Sequence, residues 1–396
     1  MFLLIQAVLL VTFGFFVFYL LLLSILALFK RSGYEKLPKR KRRFAFVIPA
    51  HNEEMPISAT IRSILAVDYP QSQFDVVVVA DNSTDRTAEI ARAEGALVIE
   101  RTDQTRRGKG FALEWAFEGL MKEQPGYDAF VVVDADSTVT PNFLDVMHYY
   151  LDNGAMALQC KDIVHPHPGA WSAEMTQMGF LLYNVARPLG RSLLGFSVGL
   201  RGNGMCFSRE LLQKHKWGAY SQTEDLEFGL HLLVQGVAIR FAPEAIVYAT
   251  MPTNPVTAES QRARWETGRL PIVRKYALPL FINALRKRSL GLIDALIDLA
   301  TPPLINLMLM IFMLFIFTAS TWVLGFEHAF LFTILWIVLM IGGLAHAIVG
   351  LVASKADENV YRSLIQIPRY ALWKILLYTK LLKKGQTDEW VRTGRE

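Results

Sequence analysis

Three long apolar segments constrain the fold of this chain more than any other feature. Residues 1–29 include no charged side chain, and as a helix they would extend about 43 Å, whereas the hydrocarbon core of a bilayer is about 30 Å thick. Residues 304–324 and 330–352 are also apolar and long enough to cross. The sequence therefore predicts three transmembrane helices.

The charge pattern predicts how these helices are oriented. Residues 30–43 are rich in Lys and Arg, with Glu35 as the only acid, and such clusters stay on the cytoplasmic side of a membrane. We expect the amino terminus outside and residues 30–303 in the cytosol, at a bacterial inner or plasma membrane. A cleaved signal peptide is the alternative for residues 1–29, but no basic stretch precedes the run and no small-residue cleavage site follows it.

Two other segments are predicted to lie along the membrane surface. In residues 271–303, Asp294 and Asp298 would each cost roughly 3 kcal/mol at the centre of a bilayer, which favours an interfacial position. Residues 354–396 are predicted to form a cytosolic amphipathic tail, because five basic residues share one helix face. These residues are Arg362, Arg369, Lys380, Lys383 and Lys384. A fourth span is the alternative for this tail, but it would bury that basic face.

Composition excludes several classes of protein. The chain is 52% apolar and 19% charged, which excludes a disordered chain and a small disulfide scaffold. Cys160 and Cys206 fall in the part assigned to the reducing cytosol, so we expect no disulfide. The net charge of +5 arises largely beside membrane segments, which favours anionic membrane lipids as partners and argues against nucleic acid.

Residues 44–270 are predicted to form an α/β domain. Short β-branched or apolar runs alternate with segments of helical periodicity. The predicted strands are 44–49, 74–80, 96–100 and 129–133, and the predicted helices are 55–67, 84–94, 109–123 and 141–153. The alternation predicts a mostly parallel, Rossmann-like sheet, in which ligands bind beyond the carboxyl ends of the strands.

Acidic residues stand at that edge of the predicted sheet. Glu53 follows the first strand, Asp81 the second, and Asp134 and Asp136 the fourth. Clustered carboxylates either bind a cation or shift their pKa values. If the backbone is extended there, Asp134 and Asp136 point the same way and suit a divalent ion, Mg or Mn, that also holds a diphosphate. Solvated turn aspartates are the alternative.

A basic loop and an acidic helix start add to this set. Lys109, in the glycine-containing loop 106–110, opens a predicted helix and favours phosphate, although a solvent-exposed basic cap is the alternative. Residues 221–224 match a capping box, which would place Glu224 and Asp225 in the first turn of a helix that ends near Gly236. The helix dipole there would keep Asp225 ionised, as a general base requires, although capping alone is the alternative.

A further motif precedes the interfacial segment. Gln261, Arg262, Arg264 and Trp265 combine guanidinium groups, which clamp diphosphates, with an indole that stacks on a sugar. Anchoring at the membrane interface is the alternative. The turn predicted at residues 202–204 leads into a strand at 205–207.

Together these motifs closely resemble the membrane-embedded family 2 glycosyltransferases. That group includes bacterial cellulose, hyaluronan and poly-N-acetylglucosamine synthases and ceramide glucosyltransferases. The matching motifs are residues 49–53, Asp81, 134–136, 223–225 and 261–265, and the resemblance spans 43–269. It implies a GT-A fold, inverting transfer from a nucleotide sugar, with UDP as the expected nucleotide, and a divalent ion.

The resemblance also implies roles for individual residues. Asp225 resembles the general base, with Glu224 beside it, and Asp136 the metal ligand. The residues that resemble the nucleotide contacts are Pro49, His51, Glu53, Asp81, Lys109 and Asp134. Those that resemble the groups holding diphosphate and acceptor are Gln261, Arg262, Arg264 and Trp265. Trp390, Thr393 and Arg395 resemble a segment that gates over bound nucleotide in the synthases.

The acceptor stays open at this point. Three helices are few to enclose a channel for a hydrated polysaccharide, which favours a membrane lipid or a lipid-linked saccharide as acceptor. A processive polysaccharide synthase is the alternative, and it would need a homo-oligomer or an accessory membrane subunit to complete a pore. A polyprenyl-phosphate sugar transferase is another enzyme of related activity that we consider, but the 261–265 motif is not expected in it. Outside the enzymes, the alternative is a catalytically silent scaffold that binds sugar nucleotides.

Overall fold

The computed structural model describes residues 2–30, 33–35, 42–124, 126–165, 171–251 and 255–384, and omits the side chains of 255–267 and 380–384. Within these residues one eight-stranded sheet runs in the order β3-β2-β1-β4-β7-β6-β8-β5. Its strands are β1 (Phe44–Ala50), β2 (Phe74–Asp81), β3 (Leu97–Arg101), β4 (Ala129–Val132), β5 (Ser137–Val139), β6 (Ala157–Val164), β7 (Met205–Ser208) and β8 (Ile239–Ala249).

The sheet is mixed, with a parallel half built from the first four strands. β3, β2, β1 and β4 pair in parallel, as predicted. Next to them β7 is antiparallel to both β4 and β6, β6 is parallel to β8, and β5 is antiparallel to β8. The strand predicted at 205–207 is confirmed as β7, whereas β5, β6 and β8 had no sequence prediction.

Helices cover both faces of the sheet and continue into the membrane segments. They are α1 (Phe2–Phe29), α2 (Ile57–Leu65), α3 (Thr87–Ala93), α4 (Lys109–Glu123), α5 (Phe143–Asp152), α6 (Trp171–Phe180), α7 (Arg187–Leu193), α8 (Arg209–Lys214), α9 (Glu224–Val234), α10 (Pro255–Lys287), α11 (Leu290–Ala300), α12 (Leu304–Val323), α13 (Ala329–Ala353), α14 (Glu358–Arg362) and α15 (Ile367–Lys384). A π-helix (Leu181–Ala186) joins α6 to α7, and 3-10 turns occupy Gln71–Gln73 and Ser363–Gln366.

The core of the domain consists of two apolar layers, one on each face of the sheet. Side chains alternate across β1, so that Val47 packs in the layer of Phe117 on α4, and Phe46 packs in the layer of Ile61 and Met147. A strand that is covered on both faces reads as a continuous apolar run. This explains why β1, β2 and β4 were visible in the sequence.

Among the described residues three helices, α1, α12 and α13, are long and apolar enough to cross a membrane. They match the three predicted spans to within about a residue at each end. Polar side chains between them are paired, as helix packing in lipid requires. The indole of Trp336 donates to Gln6 Oε1 at 3.2 Å, and Ser24 Oγ lies 2.8 Å from Nδ1 of His346.

One helical segment of the domain packs against the spans and was not predicted. The π-helix contacts α1 and α13, and α7 lies along α1. At Gly190 a Cβ would stand 2.3 Å from the carbonyl oxygen of Leu23, so only glycine allows the two helices to come this close. Behind this contact, Arg191 donates to Asp294 at 2.7 Å and Tyr19 donates to the same carboxylate at 2.9 Å.

The tail forms helices α14 and α15. On α15, Arg369 lies over the ring of Trp171 at 4.6 Å, and Tyr378 accepts a hydrogen bond from Asn306 at the start of α12. Leu372 and Leu376 are exposed. The helix therefore packs on the domain and on a span while it presents apolar side chains outward, and its place on the inner leaflet stays a prediction.

Candidate active site

The end of β2 holds a buried ion pair. Asp81 is 7% exposed, and Arg101, at the end of β3, donates to its carboxylate at 2.6 Å. Burial raises the pKa of Asp81, while the Arg101 guanidinium counteracts it. Asp81, one of the residues with a predicted nucleotide role, is therefore already held by an arginine that the sequence analysis did not single out.

The loop after β1 contacts the end of β2. Pro49 is in β1, paired with Val79, and His51 Nδ1 lies 2.7 Å from the carbonyl oxygen of Asp81. The amide of Glu53 donates to Thr87 Oγ1 at 2.7 Å. The predicted nucleotide contacts His51, Glu53 and Asp81 therefore lie together at the carboxyl ends of β1 and β2.

Lys109 joins three parts of the site. Its Nζ donates to Asp134 Oδ1 at 2.5 Å and to the carbonyl oxygen of Gly202 at 2.6 Å, and it lies 3.7 Å from Glu224 Oε1. Burial alone would lower the pKa of Lys109, but the surrounding carboxylates raise it above its ordinary value. The first residue of α4 is thus a fixed cation between the loop after β4 and the start of α9.

The position of Lys109 depends on a close backbone approach. α4 begins at Lys109, as predicted, after Gly108 in a left-handed conformation with φ of 117°. At Gly110 a Cβ would lie 2.1 Å from the carbonyl oxygen of Ala219. Glycine at this position lets α4 reach the segment that leads into α9.

The backbone at Asp134 and Asp136 differs from the prediction. β4 ends at Val132 and residues 135–136 form a turn, so the expectation of an extended strand through Asp136 is wrong, although both carboxylates act on the same buried acid, Asp162. Asp134 binds Lys109, whereas Asp136 Oδ1 accepts from Ser137 Oγ at 3.2 Å. The strand is cut short because β5 starts at once and pairs with β8 instead.

The predicted turn at residues 202–204 is present and takes part in the site. Asn203 accepts from the amide of Asp134 at 3.1 Å and donates to Ser137 Oγ at 2.9 Å. Gly204 has φ of 66°, and a Cβ there would lie 2.0 Å from Cys160 Sγ. The turn motif alone did not indicate that Asn203 would hydrogen-bond to Asp134 and Ser137 and so connect the 202–204 turn to the turn at 135–136.

The capping box predicted at residues 221–224 is wrong. α9 begins at Glu224, and Thr223 makes no side-chain capping bond. Glu227 instead accepts from the amides of Tyr220 and Ser221 at 3.2 and 3.1 Å and binds Lys275 at 2.6 Å. Because Glu227 satisfies these amides, Glu224 is left to face Lys109.

Glu224 and Asp225 are a pair of acids in the first turn of α9, which ends just before Gly236 as predicted. Burial raises the pKa of Glu224 to about 7, with Lys109 opposing the rise and Asp225 adding to it. Burial also raises the pKa of Asp225, although helix amides, Lys109 and Arg201 counteract it. The sequence predicted that the helix dipole would keep Asp225 ionised. Burial has the larger effect on the pKa of Asp225, so this carboxylate is a stronger base than an exposed aspartate.

A third acid near this pair was missed. Asp162 on β6 is 3% exposed and accepts from Asn184 on the π-helix at 3.1 Å. Burial raises the pKa of Asp162 well above its usual range, and the charges of Asp134, Asp136 and Asp225 add to the rise. These three carboxylates therefore converge on one neighbourhood. No strand was predicted at Asp162, so nothing in the sequence pointed to it.

Other predicted site residues fall at the limit of the description. Gln261, Arg262, Arg264 and Trp265 belong to α10, but their side chains are outside the described part of the chain. Trp390, Thr393 and Arg395 lie outside the described residues altogether. Among the residues that are described, no three His, Cys, Asp or Glu side chains form a group that could hold a metal ion by itself.

A protein-family model matches the sequence of this domain. A family model described as glycosyltransferase like family 2 aligns with residues 41–268, more than half of the chain. The chain belongs to glycosyltransferase family 2. The resemblance drawn from the five motifs is thereby confirmed, and the chain is assigned to a family of transferases.

Curated relatives cover part of this family 2 glycosyltransferase. The probable glycosyltransferase YdaM of Bacillus subtilis is 28% identical over 269 residues, which is 65% of this chain and 61% of that protein. The beta-monoglucosyldiacylglycerol synthase of Nostoc sp. is 29% identical over 235 residues, which is 57% of this chain and 48% of that protein. The matches thus span roughly half to three fifths of these relatives.

A solved structure shares the fold of this family 2 glycosyltransferase. The mannosyltransferase PcManGT from Pyrobaculum calidifontis, in complex with GDP-Man and Mn2+, aligns over 87% of this chain and 99% of its own length. Its TM-score is 0.51 at 16% sequence identity. The GT-A fold predicted from the resemblance is confirmed, together with three helices that are long and apolar enough to span a membrane.

Proposed function

We propose that this family 2 glycosyltransferase transfers a sugar, with inversion, from a nucleotide sugar to a hydroxyl group of a membrane lipid or lipid-linked saccharide. The observation that carries the proposal is the position of Lys109 between Asp134 and Glu224, with contacts of 2.5 and 3.7 Å. At Gly202, which Lys109 also binds, a Cβ would lie 3.4 Å from Asp225 Oδ2. A phosphate-binding cation and a buried base thus share one site.

The donor nucleotide is assigned to the ends of β1 and β2. Pro49, His51, Glu53 and Asp81 surround this edge, and Lys109 and Asp134 lie beside it, where a diphosphate would meet the lysine. UDP is the nucleotide that we expect. Asp136 would hold a divalent ion, Mg or Mn, and the fit is supported by its hard carboxylate donor in a turn next to Asp134. When bound, the ion neutralises the diphosphate charge.

In the proposed reaction Asp225 takes the proton from the acceptor hydroxyl as its oxygen attacks the anomeric carbon. The bond from that carbon to the phosphate oxygen breaks, and the nucleoside diphosphate leaves with its electron pair. Lys109 and Arg264 stabilise the developing charge. A single displacement inverts the configuration. Glu224, whose pKa burial raises to about 7, lies 3.7 Å from Lys109 and next to Asp225 in the same helical turn.

The lipid acceptor is supported by three features. Three of the described helices are long and apolar enough to span the bilayer. Helices α10 and α11 connect the site to the span α12. Exposed apolar side chains on α10 and α11, such as Leu278, Leu285 and Leu290, suit the membrane interface. A relative named beta-monoglucosyldiacylglycerol synthase is consistent with a glycolipid product.

A donor screen tests this function. The purified full-length chain in detergent is incubated with UDP and GDP sugars and Mg or Mn, with and without total membrane lipid, and nucleotide release and product size are measured. We expect release from a UDP sugar that increases with lipid, and a lipid product that carries one added sugar. A ladder of long saccharides would favour the processive synthase. No release with any donor and lipid would favour the silent scaffold.

A further inference from the structure

A cavity adjoins the candidate base on the side of the interfacial helices. It lies between α9, α11 and residues 197–201. Leu226, which follows Asp225 directly, lines this cavity, and so do Leu230 and Leu233 farther along α9. Arg201 also lines it and lowers the pKa of Asp225 by its charge. The cavity therefore adjoins the first turn of α9, which contains Asp225.

The cavity and its surroundings contain more buried positive than negative charge. Four arginines, Arg187, Arg191, Arg201 and Arg269, act on the same carboxylate of Asp298 and lower its pKa well below the usual range. Only Asp298 and Asp294 make ion pairs with this group within the described residues. Arg187 and Arg191 make these ion pairs, whereas Arg201 and Arg269 form none within 4 Å among the described residues, and Arg201 acts on Asp225 only through its charge.

The positive charge of Arg201 is less well neutralised by nearby carboxylates than that of Arg187 or Arg191. Among the described residues it forms no ion pair within 4 Å, and its guanidinium donates only to the Tyr183 hydroxyl at 3.3 Å and the Val198 carbonyl at 3.2 Å. Its Nε is buried without a partner, as is Nε of Arg187, a residue that is only 3% exposed. A buried donor without an acceptor is destabilising, and an anionic oxygen would satisfy it.

Tyr183 supplies a further donor. Its ring lies between two guanidinium groups, 4.2 Å from Arg201 and 4.9 Å from Arg187. Its hydroxyl accepts from Arg201, and within the described part of the chain no acceptor takes its own proton. Arg269 differs, because it donates to the carbonyl oxygens of Asp298 and Leu299 and so caps the end of α11. Arg201 and Tyr183 are thus the groups available to a ligand.

We propose that this cavity binds the anionic headgroup of a membrane lipid, a phosphate or a carboxylate, through Arg201 and Tyr183. The leucines of α9 and Leu299 of α11 form the apolar wall for the adjoining part of the lipid. The further step, that this lipid is the acceptor whose hydroxyl meets Asp225, rests on the function proposed above.

Binding measurements test the inference without any turnover. The purified full-length chain in a neutral detergent is titrated with dioctanoyl phosphatidic acid, oleate, dioctanoylglycerol and inorganic phosphate, and dissociation constants are determined by native mass spectrometry. We expect at least one of the two anionic lipids to bind about tenfold or more tighter than dioctanoylglycerol, and inorganic phosphate to bind weakly.

Variants identify the site. Arg201→Gln should weaken binding of the anionic lipid about tenfold and Tyr183→Phe about threefold, whereas Arg201→Lys should recover part of the loss. Arg240→Gln, at an exposed arginine of β8, is the matched control and should bind like the wild type. All variants are checked for unchanged UDP affinity.

Several outcomes would overturn the inference. They are equal affinity for the neutral lipid and both anionic lipids, inorganic phosphate that binds as tightly as the preferred anionic lipid, an Arg201→Gln chain that binds that lipid like the control, or a parallel loss of UDP affinity, which would assign Arg201 to the donor diphosphate. Because no sugar is transferred, a failed donor screen and a failed lipid titration are separate results.

Discussion

At the scale of residues, the site depends on Lys109 as the cation that binds Asp134 and lies close to Glu224. We expect Lys109→Met to lower UDP affinity by about 10- to 100-fold, because the buried cation proposed to bind the diphosphate is lost and two carboxylates are left to repel each other. UDP binding by calorimetry is the measurement. Lys122→Met, at an exposed lysine of the same helix, is the control and should bind UDP normally. Equal affinity of the two variants would contradict the role of Lys109.

The buried acid Glu224 should make folding stability depend on pH. Burial raises the pKa of Glu224 from 4.5 to about 7 in the folded chain, so the folded state holds this proton more tightly than the unfolded state. The contribution to stability is complete below pH 4.5 and is lost as pH rises through 7. Between pH 5.5 and 8 the Tm should therefore fall by a few degrees more in the wild type than in Glu224→Gln.

This pH comparison has an internal control. Glu123→Gln removes an exposed acid and should follow the wild-type curve. Since other buried acids titrate in all three chains, only the difference between curves reports on Glu224. Parallel curves for Glu224→Gln and the wild type would show that Glu224 is not protonated in the folded state near neutral pH.

Residue-level prediction succeeded where acids follow apolar strands and failed where the partner is remote in sequence. The proximity of His51, Glu53 and Asp81 follows from parallel strands that end at one edge. Arg101, Asn203 and Asp162 were missed, because their importance arises from contacts made across loops and from β6, which no periodicity revealed. The capping box failed because Glu227 competes for the same amides as Glu224.

At the scale of elements, α4 must approach the segment before α9 closely for Lys109 to reach its partners. Gly110→Ala should lower the Tm by several degrees and reduce UDP affinity, since its Cβ would lie 2.1 Å from the Ala219 carbonyl oxygen. Gly119→Ala is the matched control in the same helix, because its Cβ would meet nothing within 4 Å. By helix propensity that change should stabilise the chain by up to about 1 kcal/mol. Thermal unfolding of both variants decides, and a Gly110→Ala chain as stable as Gly119→Ala would contradict the close approach.

Element prediction from the sequence worked best for fully buried strands and for long apolar helices. β1, β2 and β4 are continuous apolar runs, and α1, α12 and α13 are each longer than any of the helices α2 to α9. The segment from α6 to α7 was not recognised, because its short apolar stretches are broken by Asn184, Arg187 and Arg191. The partners of these polar residues are groups elsewhere in the chain, such as Asp162, Asp294 and Asp298.

At the scale of the whole molecule, the topology proposed from the charge pattern can be tested with single cysteines. Cys160 and Cys206 are buried, so a membrane-impermeant maleimide should give little background. We expect Glu327→Cys, between α12 and α13, to be labelled in intact cells, and Arg240→Cys, on the domain, to be labelled only after the membrane is opened. The reverse pattern would overturn the proposed orientation.

In the proposed mechanism Asp225 acts as the base, while the donor nucleotide binds independently of it. The direct measurement compares sugar transfer and UDP binding in the wild type, Asp225→Asn and the exposed-site control Glu123→Gln. We expect Asp225→Asn to bind UDP within about threefold of the wild type while its transfer rate falls by about 10²- to 10⁴-fold, with the control unchanged. Transfer by Asp225→Asn at the wild-type rate would contradict the account.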